Sequence, residues 1–452
     1  MILSIILVLL IAGTLAFHFL SPWYFTPLAS NWGAMDDTVS LTFIVTGFVF
    51  VCVNAFVVLC IIRYRARAGS RAAYEPENTK LEWWLIGLTT VGVSAMLAPG
   101  LFVWAKFVDP PQDAAVVEVF ARQWNWMFRF PGEDGKLGTV DASHVGEGNP
   151  FGMNPADPNG QDDVLIANPI VHLRLDQPVK FLLRSIDVLH NFTVPQFRAK
   201  MDMVPGMVSH VWLTPTRTGT FDLLCEELCG IGHFAMRGSV VVDQPQVFDE
   251  WLRNQPTFAQ TRSNGGGDAV AGASLYAVCA TCHGVQAEGN AAMHAPRLAG
   301  QGAWYLQRQL HHFKQGIRGA HEKDVHGKTM APMAMTLVDD NAVRNVSAYI
   351  ASLPDVPAQV TVKASAHKAR DLFVSTCGAC HGPDGKGRES ANAPDLAGMS
   401  DWYLVTQLQN FKQGIRGAHP QDMYGRQMAL MAATLTDDRA IENMVAHINE
   451  LR

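Results

Sequence analysis

Charged residues are scarce in this chain. They make up 17% of its 452 residues, and the formal net charge is −6. So mild a balance gives no reason to expect a nucleic acid or an anionic surface as a partner. Hydrophobic residues account for 48%, and they are concentrated in the early part of the chain. The length alone indicates about three domains.

The sequence has no cysteine left over for a disulfide framework. Of its eight cysteines, two lie in the segment 225–236, CEELCGIGHFAM, and four lie in two Cys-x-x-Cys-His motifs. The other two, Cys52 and Cys60, lie in an apolar run that we predict to be helical. We therefore predict no disulfide bonds.

Three apolar runs, at residues 2–20, 39–62 and 83–104, are long enough to cross a membrane. The first run could instead be a cleaved signal peptide. It lacks a basic n-region and a clear small-x-small cleavage site, so we favour a retained helix. The arginine-rich segment RYRARAGSR follows the second run. The positive-inside rule predicts that this segment is cytoplasmic and that everything after residue 105 lies on the opposite side.

Residues 114–245 have the short, alternating runs typical of strands. In VEVFARQWNWMFRF, period-two alternation predicts one strand with most of the aromatic residues on one side, namely Phe120, Trp124, Trp126, Phe128 and Phe130. Further candidates are IVHLRL, VKFLLRS, SHVWLTP, TFDLLC and GSVVVD. The pattern predicts a small β-sandwich or barrel. The polar loop 146–163 has no readable role.

Soft metal ligands are concentrated in the segment 225–236, with one more upstream. The ligands are His190, Cys225, Cys229, His233 and Met236. Thiolate, imidazole and thioether groups suit copper far better than calcium or magnesium. The alternatives are a zinc site or a chance cluster. Zinc rarely uses methionine, and structural zinc sites usually space their cysteines by two residues. We interpret the cluster as a copper site.

His190 together with Cys225-x-Glu227-x-Cys229-x-x-x-His233-x-x-Met236 resembles the dinuclear copper (CuA) signature of cytochrome c oxidase subunit II. The resemblance implies that these six residues are the copper ligands, with Glu227 binding through its main-chain oxygen. It also implies an all-β cupredoxin domain. In that family the Glu227 side chain would reach a magnesium or manganese site shared with subunit I.

Two further residues match positions of that family. Gln123-Trp124-Asn125-Trp126 resembles its aromatic patch, which implies that Trp124 receives electrons. The alternative is that both tryptophans only pack in the core. Glu82, at the start of the third apolar run, resembles a glutamate associated with proton entry to a neighbouring subunit. The alternative is a carboxylate stabilised by the helix dipole.

Two copies of one domain follow. The motif Cys279-Ala-Thr-Cys282-His283 recurs as Cys377-Gly-Ala-Cys380-His381, and FKQGIRGAH recurs in the same register. Cys-x-x-Cys-His is the covalent attachment motif of c-type haem, in which the cysteines bind the vinyl groups and the histidine binds iron. One copy alone could be chance or a redox dithiol, but two in register argue against both. Each copy resembles an all-α class I cytochrome c.

The distal iron ligand is predicted to be methionine, because a thioether opposite histidine raises the haem potential and suits electron transfer. Met330 and Met428 have the offset usual in the resembled family, and Met333 and Met431 are the alternatives. The recurring pair His321 and His419 could give a His–His haem, but both lie in a Gly-flanked loop, and we predict a structural role. The other candidates are predicted to be packing or surface residues: Met335 and the non-recurring His294, His311, His312 and His326.

We therefore predict transmembrane helices within 1–110, a CuA domain at 111–245, a linker at 246–268, and cytochrome c domains at 269–356 and 357–452. The resemblance implies the electron-entry subunit of a terminal oxidase. Electrons would pass from a donor such as soluble cytochrome c, through two haems and CuA, to the haem–copper subunit that reduces oxygen to water. It implies subunits I and III as partners, lipid around the helices, and no nucleic acid. It also implies the bacterial inner membrane, with the copper and haem domains on the periplasmic side.

Two other functions stay open at this point. A CuA-containing nitric oxide reductase would use a similar subunit with a different catalytic partner. A free-standing, membrane-anchored multihaem carrier would need no partner, but the helices preceding the copper region resemble subunit II throughout residues 39–245. The sequence does not indicate which haem receives electrons first.

Overall fold

The computed structural model describes residues 2–21, 26–66, 69, 71, 74, 76–146, 149–263 and 266–452. Within them, three helices are long and apolar enough to cross a membrane. They are α1 (Ile2–Leu20), α2 (Gly33–Arg63) and α3 (Thr79–Val108). The second and third are longer than their apolar runs, because polar residues extend them favourably. Asp36 lies in the first turn of α2 and Lys106 in the last turn of α3, where the helix dipole stabilises each charge. Arg67 of the arginine-rich segment lies outside the described residues.

Ten strands make up the β domain (115–243) in the described part of the chain. Their bounds are β1 Ala115–Arg122, β2 Asn125–Phe130, β3 Val164–Ile166, β4 Ile170–Arg174, β5 Val179–Ser185, β6 His190–Val194, β7 Ala199–Met203, β8 Ser209–Leu213, β9 Gly219–Leu224 and β10 Arg237–Asp243. One sheet has the order β3-β2-β1-β5-β8 and the other β4-β10-β9-β6-β7. Their facing side chains, such as Phe181 and Phe192 at 5.0 Å between ring centroids, form the core of a sandwich.

The run VEVFARQWNWMFRF forms a hairpin, so the prediction of one strand was wrong. β1 ends at Arg122, which pairs with Asn125 at the start of β2. In this register Phe120 pairs with Met127, whereas Ala121 pairs with Trp126. Phe120 therefore packs in a separate outer cluster, and Trp126 packs inside the sandwich. In the sequence, the period-two alternation of side chains continues through the two-residue turn. In the structure, the turn places the aromatic residues of β2 on the opposite face of the sheet from Phe120 of β1.

A buried charge network lies beside this hairpin and holds the long polar loop. Arg129 Nη1 donates to Asp163 Oδ2 at 2.8 Å and to the carbonyl of Gly138 at 2.7 Å. Its guanidinium also pairs with Glu118, which contacts Arg184 as well. The loop 146–163 thereby closes one side of the β domain. Its residues 147 and 148 lie outside the described residues.

Replacing Arg129 with methionine should destabilise the β domain by about 3–5 kcal/mol, because Asp163 would stay buried without its cation. The measurement is the free energy of unfolding, followed by tryptophan fluorescence in denaturant. The control is Lys200→Met, which removes an exposed pair with Glu226 at 3.0 Å and should cost under about 1 kcal/mol. Equal losses in the two variants would show that the network does not stabilise the fold.

Most of the predicted linker 246–268 is folded onto the β domain. Helix α4 (Pro245–Arg253) stacks Trp251 on His172 with ring centroids 4.3 Å apart. Helix α5 (Phe258–Ser263) buries Phe258. Residues 246–263 of the linker predicted at 246–268 are therefore fixed to the β domain through Trp251 and Phe258. Gly265 lies outside the described residues.

The remaining chain forms two helical repeats, which confirms the predicted all-α class. The first repeat (269–356) contains α6 Ala269–His283, α7 Ala303–Lys314, α8 Val325–Met335 and α9 Asp340–Ser352. The second repeat (357–452) contains α10 Arg370–Leu372, a π-helical turn at Phe373–Cys377, α11 Gly378–His381, α12 Asp401–Lys412, α13 Met423–Ala432 and α14 Asp438–Glu450. Apolar side chains of α6, α7 and α9 contribute to the core of the first repeat, and those of the π-helical turn, α12 and α14 contribute to the core of the second.

The two repeats face each other across a symmetric interface. Arg318 donates to the hydroxyl of Tyr403 at 2.8 Å, and Arg416 donates to the hydroxyl of Tyr305 at 3.1 Å. Arg318 and Arg416 occupy the same position of the repeat, and so do the two tyrosines. Each repeat therefore covers the equivalent surface of the other.

Candidate metal and haem sites

Strand ends and one loop bring the candidate copper ligands together. His190 opens β6, while β9 ends directly before Cys225. The copper loop (225–236) then returns to β10. Its two ends are joined by a hydrogen bond from the Cys225 amide to the Met236 carbonyl at 3.4 Å. The first and last candidate ligands of the loop thus lie side by side.

The two cysteine sulfurs lie at the centre of the cluster. Cys225 Sγ is 3.7 Å from Cys229 Sγ, far beyond the roughly 2.05 Å of a disulfide. Cys225 Sγ also lies 3.9 Å from His190 Nδ1 and 3.2 Å from the Glu227 carbonyl oxygen. The contact between the sulfurs lowers the pKa of Cys225 and raises that of Cys229.

The second sulfur has a matching set of neighbours. Cys229 Sγ lies 3.6 Å from His233 Nδ1 and 3.8 Å from Met236 Sδ. Each sulfur therefore has one imidazole nitrogen and one further donor beside it. Two thiolates that can bridge, flanked by two such sets, fit a pair of copper ions. The structure brings all six ligand positions predicted from the sequence into this one cluster.

Asp187 lies outside the predicted ligand set and orients one of the ligands, His190. His190 Nε2 lies 2.9 Å from Asp187 Oδ1, which leaves Nδ1 facing Cys225. Burial disfavours protonation of His190, but its hydrogen bonds to Asp187 and Cys225 outweigh burial and raise its pKa. A carboxylate on the outer nitrogen is the usual way to fix a metal-binding imidazole. Asp187 was not predicted from the sequence. Only its position three residues before His190 could have indicated that it contacts this ligand.

Trp124 lies against the copper loop, whereas Trp126 is fully buried in the sandwich. Trp124 Nε1 donates to the Cys229 carbonyl at 3.2 Å, and Gln123 Nε2 donates to the same oxygen at 2.7 Å. Trp124 is itself 6% exposed. It packs closely and also contacts the main chain of a candidate copper ligand. Its role in electron transfer stays a prediction.

Replacing Gly232 with alanine should displace Trp124, because a Cβ there would lie 2.4 Å from the indole. We expect a loss of roughly 1–3 kcal/mol of stability and an altered tryptophan fluorescence spectrum. Gly146→Ala is the control, since its Cβ would meet nothing within 4 Å. Unchanged fluorescence and stability in Gly232→Ala would contradict the packing described here.

Each Cys-x-x-Cys-His motif ends a helix, and its histidine is held by a proline carbonyl. His283 Nδ1 lies 2.8 Å from the oxygen of Pro296, and His381 Nδ1 lies 2.9 Å from that of Pro394. Burial lowers the pKa of both histidines, although these hydrogen bonds oppose the shift. The imidazoles are thereby kept neutral and oriented, which is the form that binds iron through the other nitrogen. The two prolines belong to the recurring segments APRLAG and APDLAG. Their hydrogen bonds to the histidines could not be predicted from the sequence.

A continuous cavity of about 370 Å³ passes both motifs. Its lining includes both cysteines and the histidine of each motif, and also both methionine pairs: Met330 with Met333, and Met428 with Met431. This apolar lining with thiols, imidazole and thioethers fits two covalently attached haems. The choice of Met330 and Met428 stays a prediction.

The structure places the remaining candidates from the sequence on the surface, in main-chain hydrogen bonds or at the interface between the repeats. Met335 is 59% exposed. His294 and His326 are also exposed. His321 and His419 accept main-chain hydrogen bonds from Lys323 and Gln421. The prediction of a surface position was wrong for His312. This side chain is 14% exposed and lies 4.0 Å from Asp422 of the second repeat, because the interface between the repeats covers it.

The second repeat packs on the β domain at Trp124. Gln427 Nε2 donates to the Trp124 carbonyl at 2.8 Å, and the Tyr424 hydroxyl donates to the Ala167 carbonyl at 2.8 Å. Cys380 packs against the core of the β domain. Trp124 and Cys380 also line the same cavity. One edge of the second candidate haem site therefore meets the side chain that lies on the copper loop.

A helical membrane anchor, a cupredoxin-like sandwich with a cluster of soft ligands, and two Cys-x-x-Cys-His repeats together define a membrane-anchored electron-transfer protein. Comparison with known proteins gives the family. Residues 115–244 match the periplasmic domain of cytochrome c oxidase subunit II. Residues 269–354 and 366–452 each match cytochrome c.

Two curated relatives and one solved structure illustrate the likeness. The chain is 55% identical over 256 residues to the alternative cytochrome c oxidase subunit 2 of Bradyrhizobium diazoefficiens, covering 57% of this chain and 92% of that one. It is 34% identical over 187 residues to the thiosulfate dehydrogenase electron acceptor of Stutzerimonas stutzeri, covering 38% and 79%. Reduced cytochrome c4 from Pseudomonas stutzeri aligns at 29% identity and a TM-score of 0.33, covering 41% and 100%.

The chain belongs to the cytochrome c oxidase subunit II family and carries cytochrome c domains in addition to its copper domain. It is a component of a haem–copper oxidase, with CuA copper and haem c as cofactors. The family has the catalytic haem–copper subunit and a cytochrome c donor as partners, and the matched copper domain is periplasmic. The family and fold class predicted from the sequence are confirmed.

Proposed function

We propose that this chain is the electron-entry subunit of a terminal oxidase that reduces oxygen to water. Electrons would pass from a donor cytochrome, through two c-type haems and CuA, to the haem of subunit I. The observation that carries this proposal is the packing of the second repeat on Trp124, directly above the cluster of soft ligands. When bound, the copper and haem groups supply one-electron transfer.

The residues assigned to copper are His190, Cys225, Glu227 through its main-chain oxygen, Cys229, His233 and Met236. Efficient electron transfer needs ligands that barely move when the metal changes oxidation state. The copper loop meets this need because Gln123 and Trp124 both donate to the Cys229 carbonyl, which fixes its backbone. Burial of His190, Cys229 and Met236 keeps water from the cluster.

The residues assigned to the haems are Cys279, Cys282, His283 and Met330 in the first repeat, and Cys377, Cys380, His381 and Met428 in the second. We propose one haem in each. The proline carbonyls behind His283 and His381 orient the iron-binding nitrogens. The apolar cavity walls would limit the access of water to a bound haem, which suits electron transfer rather than oxygen binding.

We also propose the surroundings that the family resemblance implied. The three apolar helices lie in lipid of the bacterial inner membrane, with subunit III as a further partner. The ends of α2 and α3 near the β domain are fixed to it, because Trp32 donates to the Trp212 carbonyl and Trp212 donates to the Lys106 carbonyl. Arg198 pairs with Asp36 at 2.6 Å. These contacts support a β domain seated on the membrane surface, opposite the arginine-rich segment.

The Glu227 side chain is the proposed contact to a magnesium or manganese ion shared with subunit I. It is half-buried within the copper loop, whereas the carboxylate of the adjacent Glu226 pairs with Lys200 at 3.0 Å. Carboxylate oxygen is a preferred ligand of both ions.

Glu82 is proposed to admit protons toward the catalytic subunit. It is exposed in the first turn of α3, at the end of the helix that lies away from the β domain. Glu82→Gln should slow turnover of the assembled oxidase by roughly tenfold, a modest value for loss of a proton-transfer group. Oxygen consumption and proton uptake are measured, with Glu77→Gln as the control. Unchanged rates in Glu82→Gln would leave only the helix-dipole role.

Purification of the complex from membranes tests the proposed function. We expect a haem–copper subunit to copurify, two copper ions and two c-type haems per chain from this subunit, and oxygen consumption with reduced cytochrome c. Nitric oxide consumption without oxygen consumption would indicate a nitric oxide reductase. A chain that purifies without a catalytic partner would indicate a free-standing carrier.

A further inference from the structure

The second repeat contacts the β domain through side chains that differ from their counterparts in the first repeat. Gln427 and Tyr424 make hydrogen bonds to the β domain. At the same positions of the repeat, the first copy has Thr329 and His326, and both are exposed. The duplicated domain has therefore kept one fold while the two copies have diverged on this face.

The same face is buried in one repeat and open in the other. Met423 and Thr376 are each 5% exposed in the second repeat. Their counterparts in the first repeat, Val325 and Val278, are 63% and 46% exposed. The symmetric interface between the repeats covers equivalent surface on both, so it does not account for this difference. The contact of the second repeat with the β domain does.

The open face of the first repeat is apolar and borders its haem site. We call it the donor face and define it by Val278, Met293, Val325 and Thr329. Met293 is 52% exposed. Val278, Met293 and Thr329 also line the cavity beside the first Cys-x-x-Cys-His motif. A protein seated on the donor face would lie against that haem, as the β domain lies against the second.

We propose that a reduced c-type cytochrome docks on the donor face, and that electrons enter at the first repeat and leave through the second repeat to the β domain at Trp124. This inference rests on the proposed function and adds the order of the two haem domains. In the first step one electron would pass from the donor cytochrome, which would be oxidised, to a haem held by Cys279, Cys282 and His283, which would be reduced. No proton or bond is exchanged.

The structure favours a donor that binds mainly through apolar contact. The charges next to Val325 in sequence are mixed, with Glu322, Lys323 and Lys328 all exposed. Charges of both signs around the donor face give little long-range electrostatic steering of a partner protein. The rate of docking should therefore depend little on ionic strength. Trp124, which the family resemblance implies as the electron contact, is covered here by the second repeat.

The test uses the intact chain in its complex and two double variants of the donor face, Val325→Glu with Met293→Glu and Val325→Lys with Met293→Lys. Rapid mixing with reduced cytochrome c gives the second-order rate constant of haem reduction. We expect both variants to lower it by about tenfold, because each places charge in an apolar contact. Val270→Lys is the control. This residue is 86% exposed on the same helix as Val278, and its counterpart in the repeat is already Lys368.

A companion variant, Gln427→Ala, distinguishes electron entry at the first repeat from electron transfer between the second repeat and the β domain. We expect it to leave the second-order rate constant unchanged and to slow the subsequent reduction of copper. Donor-face variants that react at the wild-type rate would overturn the inference, and so would a loss with only one sign of charge. A wild-type complex in which haem reduction is never followed by copper reduction would instead refute the proposed function.

Discussion

Replacing Cys229 with serine should remove copper from the β domain and stop turnover, while both haems stay reducible by the donor. Cys229 lies at the centre of the cluster, within 4 Å of Cys225, His233 and Met236. Its loss would remove one of the two thiolates proposed to hold copper, and thiolate is the softest type of ligand in the cluster. Loss of an outer partner alone costs about 10–100-fold in metal affinity, so loss of this ligand should exceed that range.

Metal analysis, electron paramagnetic resonance and oxygen consumption measure the effect, and visible spectra follow the haems. Cys52→Ser is the matched control. Cys52 lies in α2 and is exposed on the membrane-spanning surface of this chain, so its replacement should leave the copper content unchanged. A Cys229→Ser protein with full copper and normal turnover would show that the cluster is not the copper site.

Replacing Met428 or Met330 with alanine should lower the potential of one haem and leave the other unchanged. Each methionine lines the cavity with the histidine of its own repeat. Loss of the thioether removes the ligand that raises the potential. We expect a fall on the order of 0.1 V, since axial ligands set haem potentials over a span of about 0.8 V.

Redox titration followed by visible spectroscopy resolves the two haems. Met431→Ala and Met333→Ala are the matched controls, because these methionines line the same cavity and lie within one turn of the first pair. If the controls shift the potential and Met428→Ala and Met330→Ala do not, the alternative methionines are the ligands.

The ligand cluster could be predicted because most of it is local. Five of the six assigned positions lie within residues 225–236, so their spacing alone defines a loop that can surround a metal. His190 arrives from β6, a strand of five residues that is buried throughout. The segment HNFTV has only two apolar residues that alternate with polar ones, and this strand was not predicted from the sequence. His190 was a candidate because imidazole is a soft ligand, but only the family resemblance gave it a defined place in the ligand pattern.

Contacts between distant parts of the chain could not be predicted. Gln427 bonds to Trp124, and Arg129 bonds to Asp163, yet Gln427, Arg129 and Asp163 stand out in no motif. The hairpin at Gln123-Trp124 was hidden because a two-residue turn without glycine or proline gives no turn signal. The folding of α4 onto the sheet depends on Trp251 meeting His172, a contact visible only once both elements are placed.

In the proposed route, electrons reach the copper through the haems. The most direct test mixes the oxidised intact complex with reduced cytochrome c and records haem and copper absorbance in the same experiment. The account predicts that c-type haem is reduced first, at a rate proportional to donor concentration. Copper should follow at a rate that does not depend on that concentration. Copper reduced before the haems, at a rate proportional to donor concentration, would contradict the account.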